Sequence, residues 1–144
     1  PIGYKHPTHV SATAPARWML WTGTGILIFL VFHLLQFTTG TIDPTPIVYG
    51  KVYSNLYHAF QVWWILVIYI AAMAFIALHI FHGLWSAFQT LGVDNPDRNR
   101  GLRLLAVGSA LFLFLAFLSL PTLLWFDVMP EPPNSPSTPV ALVE

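Results

Sequence analysis

Residues 56–92 read LYHAFQVWWILVIYIAAMAFIALHIFHGLWSAFQTLG, and this stretch decides the fold. It contains no Asp, Glu, Lys or Arg, and it exceeds the roughly 20 apolar residues that a helix needs to cross a bilayer. An ionisable side chain inside such a helix is costly and therefore predicts a functional site. His79 and His82, which lie one helical turn apart, are the first candidates.

The composition places the whole chain in a membrane. Of its 144 residues, 56% are hydrophobic and 8% are charged, whereas soluble domains carry about 25% charged residues. The chain has no cysteine, which excludes disulfides, iron–sulfur ligation and thiolate haem ligation by its own residues. The net charge is zero and no basic run occurs, so nucleic acid is not an expected partner.

The expected fold class is an all-α membrane protein whose three transmembrane helices form part of a helical bundle. The predicted spans cover about 16–37, 56–91 and 102–126, within a membrane domain over 16–126. An N-terminal segment (1–15) precedes this domain, and a Pro-rich tail (127–144) follows it. Breaker residues in 38–55 separate the first two spans, and Gly92 with the Asp94-Asn95-Pro96 cluster ends the second.

The distribution of basic residues predicts the orientation. Arg98, Arg100 and Arg103 flank the turn between the second and third spans, Lys5 precedes the first span, and Arg17 lies at its start. The positive-inside rule then puts the N-terminal segment in the cytoplasm and the tail outside.

A third histidine, His33, lies inside the first span. It follows Arg17 by 16 residues, about 24 Å along a helix, whereas His79 precedes Gln89 by 10 residues, about 15 Å. His33 is therefore expected in the outer half of the membrane and His79 in the inner half. Histidines on neighbouring membrane helices commonly hold haem, and two axial imidazoles must lie at one depth. The sequence therefore predicts that the three helices form part of a haem-binding bundle with two stacked haems, each taking one ligand from this chain.

Other residues are candidates for the surroundings of a cofactor. His82, Gly83 and Ser86 share a helix face with His79, and the two small residues leave room for a flat ring or another helix. A purely structural reading competes at each histidine, because an intramembrane His can also bond a neighbouring helix. His58 is either an interfacial polar residue or a quinone or haem contact, and Arg17 is either a membrane-edge anchor or a haem-propionate partner.

Four segments together resemble the cytochrome b membrane-anchor subunit of succinate dehydrogenase and fumarate reductase, of the bacterial dihaem, five-helix type. The match runs from about Pro1 to Phe126, and the last of the four segments is the most specific. The segments are Arg17-Trp-Met-Leu-Trp-Thr-Gly23, Phe32-His-Leu-Leu-Gln-Phe37, Tyr57-His-Ala-Phe60 and His79-Ile-Phe-His-Gly-Leu-Trp-Ser-Ala-Phe-Gln-Thr-Leu-Gly92. The chain corresponds to the last three of the family's five spans, or to a short or split version of the subunit.

The resemblance implies ligand roles, partners and a location. His33 is the expected ligand of the haem b distal to the catalytic subunits and His79 of the proximal one, while His82 lies near haem or quinone. The other ligands would come from the remaining anchor helices or a second anchor subunit. The chain would be a non-catalytic, multi-pass subunit of the bacterial cytoplasmic membrane, in contact with lipid and with flavoprotein and iron–sulfur subunits. Electrons from succinate would reach a quinone, expected to be menaquinone, at or near its surface.

Three other functions fit the sequence. One is a three-span half of a single-haem complex II anchor, in which only one histidine here is a ligand. Another is the cytochrome b subunit of a different quinone-linked oxidoreductase, such as a hydrogenase or formate dehydrogenase. The third belongs to a different class and is a haem-free structural membrane subunit.

Overall fold

The computed structural model describes residues 14–93 and 99–132, with the side chains of the first helix described from Trp18 onward. Within these ranges the chain forms four helices and no strand. The helices are α1 (Ala14–Phe37), α2 (Val52–Phe60), α3 (Trp63–Thr90) and α4 (Asn99–Trp125). Three of them are long and apolar enough to span a membrane, over Trp18–Phe37, Trp63–Thr90 and Asn99–Trp125. The predicted all-α class with three membrane-spanning helices is confirmed.

The second predicted span, 56–91, is divided in the structure. α2 ends at Phe60 and α3 begins at Trp63, with Val62 in an extended conformation between them (φ −94°, ψ 112°). No Gly or Pro marks this break, so the local sequence gives no signal for it. Most of the predicted N-terminal segment (1–15) and of the predicted tail (127–144) lies outside the described residues.

A polar clamp fastens the break to the end of α4. The Gln61 side chain donates from Nε2 to the Leu124 carbonyl (2.9 Å) and to Asp127 Oδ1 (3.0 Å). The Tyr57 hydroxyl donates to the same carboxylate oxygen at 2.7 Å. This hydrogen bond and burial raise the pKa of Tyr57 to about 12. α2 is therefore positioned by tertiary hydrogen bonds, not by its own turn chemistry.

α3 is the central helix of the molecule and packs against both α1 and α4. Ala106 and Ala110 are buried in α4, and such small residues allow membrane helices to approach closely. The start of α1, the end of α3 and the start of α4 lie together, and this end is called the arginine end because it carries Arg100 and Arg103. The opposite end, which carries the loop 38–51 and α2, is called the loop end.

The buried core lies at the loop end. Its members come from α2, α3 and α4, and partly buried aromatic residues of α1 pack against it. The core residues are Tyr57, Ala59, Phe60, Ile65, Tyr69 and Leu124. Elsewhere the long helices expose large apolar side chains such as Leu20, Phe112 and Leu115, which is the surface that lipid or partner helices cover.

Candidate functional site

His33 is held by a hydrogen-bonded network between α1 and α3. Its Nδ1 lies 2.8 Å from the Tyr69 hydroxyl, and that hydroxyl donates to Gln36 Oε1 at 3.1 Å. Gln36 is fully buried and Tyr69 is 6% exposed. Phe29 and Phe37 also contact the imidazole, with ring centroids 5.8 and 5.6 Å away. We call His33, Tyr69 and Gln36 the loop-end rung.

The hydrogen bonds of Tyr69 bear on which nitrogen of His33 carries the proton. With Tyr69 donating its one hydrogen to Gln36 Oε1, its oxygen accepts from His33 Nδ1–H. In that tautomer Nε2 keeps its lone pair. Among the described residues, no group hydrogen-bonds to this Nε2.

His79 has a corresponding arrangement with the roles of the helices exchanged. Here the histidine is on α3 and the hydroxyl is on α1, where Thr22 Oγ1 lies 3.1 Å from His79 Nδ1. Thr22 is 1% exposed and donates its own proton to the carbonyls of Trp18 (3.0 Å) and Met19 (3.2 Å). Its oxygen therefore accepts from His79 Nδ1–H, which again leaves Nε2 with a lone pair. We call Thr22 and His79 the arginine-end rung.

Gly23 provides the space in which the His79 ring lies. A Cβ built on Gly23 would meet His79 Cε1 at 3.4 Å and Nδ1 at 3.9 Å. The glycine thus lets the imidazole rest against the backbone of α1.

The two rungs lie at different levels of the bundle. They are 10 residues apart on α3 and 11 on α1, which corresponds to about 15 Å along each helix. Between these levels, α1 and α3 border an apolar cavity of about 310 Å³ that includes Gly25, Phe29, Phe32 and Phe75 in its lining. The separation agrees with the prediction that His33 and His79 lie at different depths, and one iron cannot bind both.

Neither rung includes His82, Gly83 or Ser86. His82 is half-buried and its ring contacts Phe81 (centroids 5.1 Å apart), with no hydrogen bond to α1 among the described residues. A Cβ on Gly83 would meet nothing within 4 Å, and Ser86 is exposed. These residues leave an open face on α3 near the arginine end.

The remaining candidates fall elsewhere. Arg17 belongs to α1, but its side chain lies outside the described residues. His58 is on α2 at the loop end, where its Nε2 is buried without a hydrogen-bond partner among the described residues. His58 also lines a cavity between α2 and the loop after α1.

Sequence reasoning missed Tyr69. It is the only tyrosine inside a predicted membrane-spanning helix beyond the first turn, and that isolation was a usable signal, because a phenol in hydrocarbon needs a hydrogen-bond partner. Thr22 and Gln36 lie on the same stripe of α1 as His33, yet only the structure pairs each with a residue of α3.

The donor set fits one cofactor at each rung, with a single imidazole of this chain as the ligand at that rung. In the described part of the chain, no three His, Cys, Asp or Glu side chains cluster as a metal site. Haem iron needs only one or two axial imidazoles, since the porphyrin supplies its other ligands. Each rung offers one such nitrogen, and a second imidazole at each level would have to come from outside the described residues.

The fold and the two rungs define the class, which is an all-helical, multi-pass membrane protein with a polar rung at each of two levels. No protein-family model matches the chain, and no curated protein or solved structure was found to match it.

Proposed function

We propose that this chain is a haem b-binding membrane anchor of succinate dehydrogenase (complex II). One observation carries the haem assignment: Nδ1 of His33 and Nδ1 of His79 each lie within hydrogen-bond distance of a hydroxyl of the facing helix (2.8 and 3.1 Å), so that donation from Nδ1 leaves Nε2 for a metal ion. Haem ligands use a neutral imidazole whose other nitrogen donates a hydrogen bond, because that bond fixes the tautomer and the ring orientation.

The separation of the rungs supports two haems. Two sites about 15 Å apart along the helices call for two haems, each with one ligand from this chain. The second ligands would come from the remaining anchor helices or a second anchor subunit. A single-haem anchor remains the nearest alternative, in which only one rung is a ligand site.

Within this proposal the residues of the chain have distinct roles. A bound haem supplies one-electron redox chemistry, which no side chain here provides. Tyr69 and Thr22 hold the two imidazoles by Nδ1, and Phe29 and Phe37 exclude water from the His33 ring. Gly23 keeps the space beside His79 clear. Axial ligand, burial and hydrogen bonding are the means by which a protein adjusts a haem potential.

The assignment to complex II rests on the sequence. The segment from His79 to Gly92, together with the segments around Trp18, His33 and His58, supports it over the cytochrome b subunit of another quinone-linked oxidoreductase. Electrons from succinate would pass through flavoprotein and iron–sulfur subunits on the cytoplasmic side of a bacterial membrane to quinone, expected to be menaquinone. The arginine end would face these subunits.

A haem-free structural subunit is the second candidate, and the same contacts favour it. The bonds from His33 to Tyr69 and from His79 to Thr22 join α1 to α3, as polar residues do between membrane helices. A purely structural role explains the hydrogen bond that Nδ1 makes at each rung, but it gives Nε2 no function.

The test is a reduced-minus-oxidised spectrum with haem-to-protein stoichiometry, measured on the complex purified from native membranes. His33→Ala and His79→Ala are compared with wild type, and His82→Ala is the matched control because it lacks an interhelical hydrogen bond among the described residues. We expect two b haems in wild type and in His82→Ala, and loss of a different haem in each of the other variants.

Other outcomes would decide between the alternatives. One haem, lost in only one variant, would indicate the single-haem anchor. Loss of haem in His82→Ala but not in His79→Ala would indicate that the ligand on α3 is His82, one turn further along the helix. No haem in an intact wild-type complex would refute the cytochrome assignment. Succinate-dependent quinone reduction by the purified complex tests the complex II assignment separately.

A further inference from the structure

A cavity of about 200 Å³ lies at the loop end, away from both rungs, and its lining combines apolar surface from residues such as Pro46 and Val48 with several polar side chains. Its walls are the loop after α1 and the first two turns of α2, and no residue of α1, α3 or α4 lines it. The polar side chains of the lining are those of Thr45, Lys51, Ser54, Asn55 and His58.

The face of α2 that meets the cavity is polar at helical spacing. Lys51, Ser54, Asn55 and His58 follow one another at i, i+3, i+4 and i+7, so they share one side of the helix. Neighbouring positions on α2, such as Phe60, bury in the core. α2 thus has one face that holds it to the bundle and another that borders the cavity.

Two of the lining residues have their hydrogen bonds committed to the wall itself. The Asn55 amide donates to the Val48 carbonyl (2.9 Å) and accepts from the Val48 amide (3.0 Å), which fixes the loop against α2. The Thr45 hydroxyl donates to Asp43 Oδ1 at 2.8 Å. The shape of the cavity is therefore set by internal bonds that need no ligand.

The other three polar residues, Lys51, Ser54 and His58, have hydrogen-bonding groups that a ligand could use. His58 Nε2 is buried and has no hydrogen-bond partner among the described residues, and a buried polar atom without a partner is costly. Lys51 is the only Lys or Arg between Arg17 and Arg98, yet it lies on this wall. An ammonium, a hydroxyl and an imidazole together are a set of donors, which an oxyanion satisfies best.

We propose that this cavity binds a phosphate-type oxyanion through Lys51, Ser54 and His58. Its source is either the phosphodiester of a membrane lipid headgroup or free inorganic phosphate. The position suits a headgroup, because α1 ends and α3 begins at this level with Trp63 and Trp64, and tryptophans mark the interface of a membrane. This site does not depend on haem binding.

The test uses the full chain in dodecyl maltoside micelles, which contain no phosphate, with ¹⁵N-labelled histidine. The His58 ring signal, assigned with His58→Phe, is followed while either inorganic phosphate or phosphatidylglycerol is added. We expect a saturable shift, with an apparent affinity at least about tenfold weaker in Lys51→Gln and in Ser54→Ala, since each loses a hydrogen bond to a charged group. Arg100→Gln, an exposed cation at the other end, is the matched control, and circular dichroism checks folding.

The two additions separate the two sources. Saturation by phosphatidylglycerol alone identifies the lipid headgroup, and saturation by inorganic phosphate identifies the free ion. Absence of a saturable shift with either addition would overturn the proposal, as would equal weakening in Arg100→Gln. If a variant fails to fold, the wild-type titration alone still tests whether an oxyanion binds in this cavity.

Discussion

The two rungs join the same pair of helices by the same kind of bond, but their surroundings differ. At the loop end, His33 belongs to a three-residue network with Tyr69 and Gln36 and lies beside the aromatic core. At the arginine end, His79 has one hydroxyl partner, Thr22, and rests on Gly23. None of the core residues named for the loop end lies at that level, although Ala106 and Ala110 of α4 are buried towards the arginine end.

The comparison teaches how a membrane helix pair positions an imidazole by two routes. The loop-end rung is held by a network and by packing, so several atoms fix the ring at once. The arginine-end rung is held by one hydrogen bond and by the absence of a side chain at Gly23. We therefore expect substitutions at the loop end to cost more free energy of unfolding than substitutions at the arginine end.

The largest effect is expected for Tyr69→Phe. The change removes the partner of His33 Nδ1 and leaves the fully buried Gln36 amide without its hydrogen bond. We expect the free energy of unfolding to fall by about 2 kcal/mol, since two interhelical hydrogen bonds are lost. Unfolding by SDS in mixed micelles measures this. In the haem-loaded complex, a redox titration should show a shifted midpoint for one haem only, and an unchanged pair of midpoints would contradict a positioning role for Tyr69.

Tyr57→Phe tests the clamp at the loop end and should cost about 1.5 kcal/mol, because a hydrogen bond to a carboxylate is lost. The pKa of Tyr57 is raised from 10.0 to about 12 by its bond to Asp127 and by burial. Folding thus favours the protonated phenol, so this stabilisation is complete below pH 10 and is lost as the pH rises through about 12. The difference between wild type and variant should shrink over that window. Tyr49→Phe, at an 84% exposed tyrosine, is the control and should show no such change.

Thr22→Val gives the matching measurement at the arginine end. It removes the acceptor for His79 Nδ1–H but keeps the shape of the side chain. We expect a loss of about 0.6 to 1 kcal/mol in the same SDS titration, which is typical of one hydrogen bond between membrane helices. A loss equal to that of Tyr69→Phe would show that the network at the loop end adds nothing beyond its first bond.

The smallest effects concern two glycines on α1 and α3. A Cβ on Gly25 would lie 2.6 Å from Phe75 Cδ2, but this ring is 41% exposed and can move aside. Gly25→Ala should therefore cost less than about 1 kcal/mol. Gly83→Ala meets no atom within 4 Å and should stabilise by about 0.5 kcal/mol, because alanine is the better helix former. The two substitutions should therefore change the free energy of unfolding in opposite directions. If Gly83→Ala destabilises the native complex, a partner must contact the open face of α3 at this position.

The fold was largely predictable because a bilayer leaves few choices. Long apolar runs must become helices, and the turn residues at Gly40 and Gly92 adopt the positive φ that glycine allows (68° and 67°). The break between α2 and α3 was not predictable, because it depends on the bonds of Gln61 to Leu124 and Asp127, which are more than 60 residues away along the chain.

The sequence by itself determined that three helices are apolar enough to cross a membrane and that His33 and His79 lie at different depths, because span length and helical rise follow from residue spacing. Only the tertiary structure decided that Tyr69 bonds His33 and that Thr22 bonds His79. It also decided that His58 borders a cavity between α2 and the loop after α1 and belongs to neither rung. The reason is physical: depth is a property of one helix, whereas a hydrogen-bond partner depends on how two helices are rotated against each other.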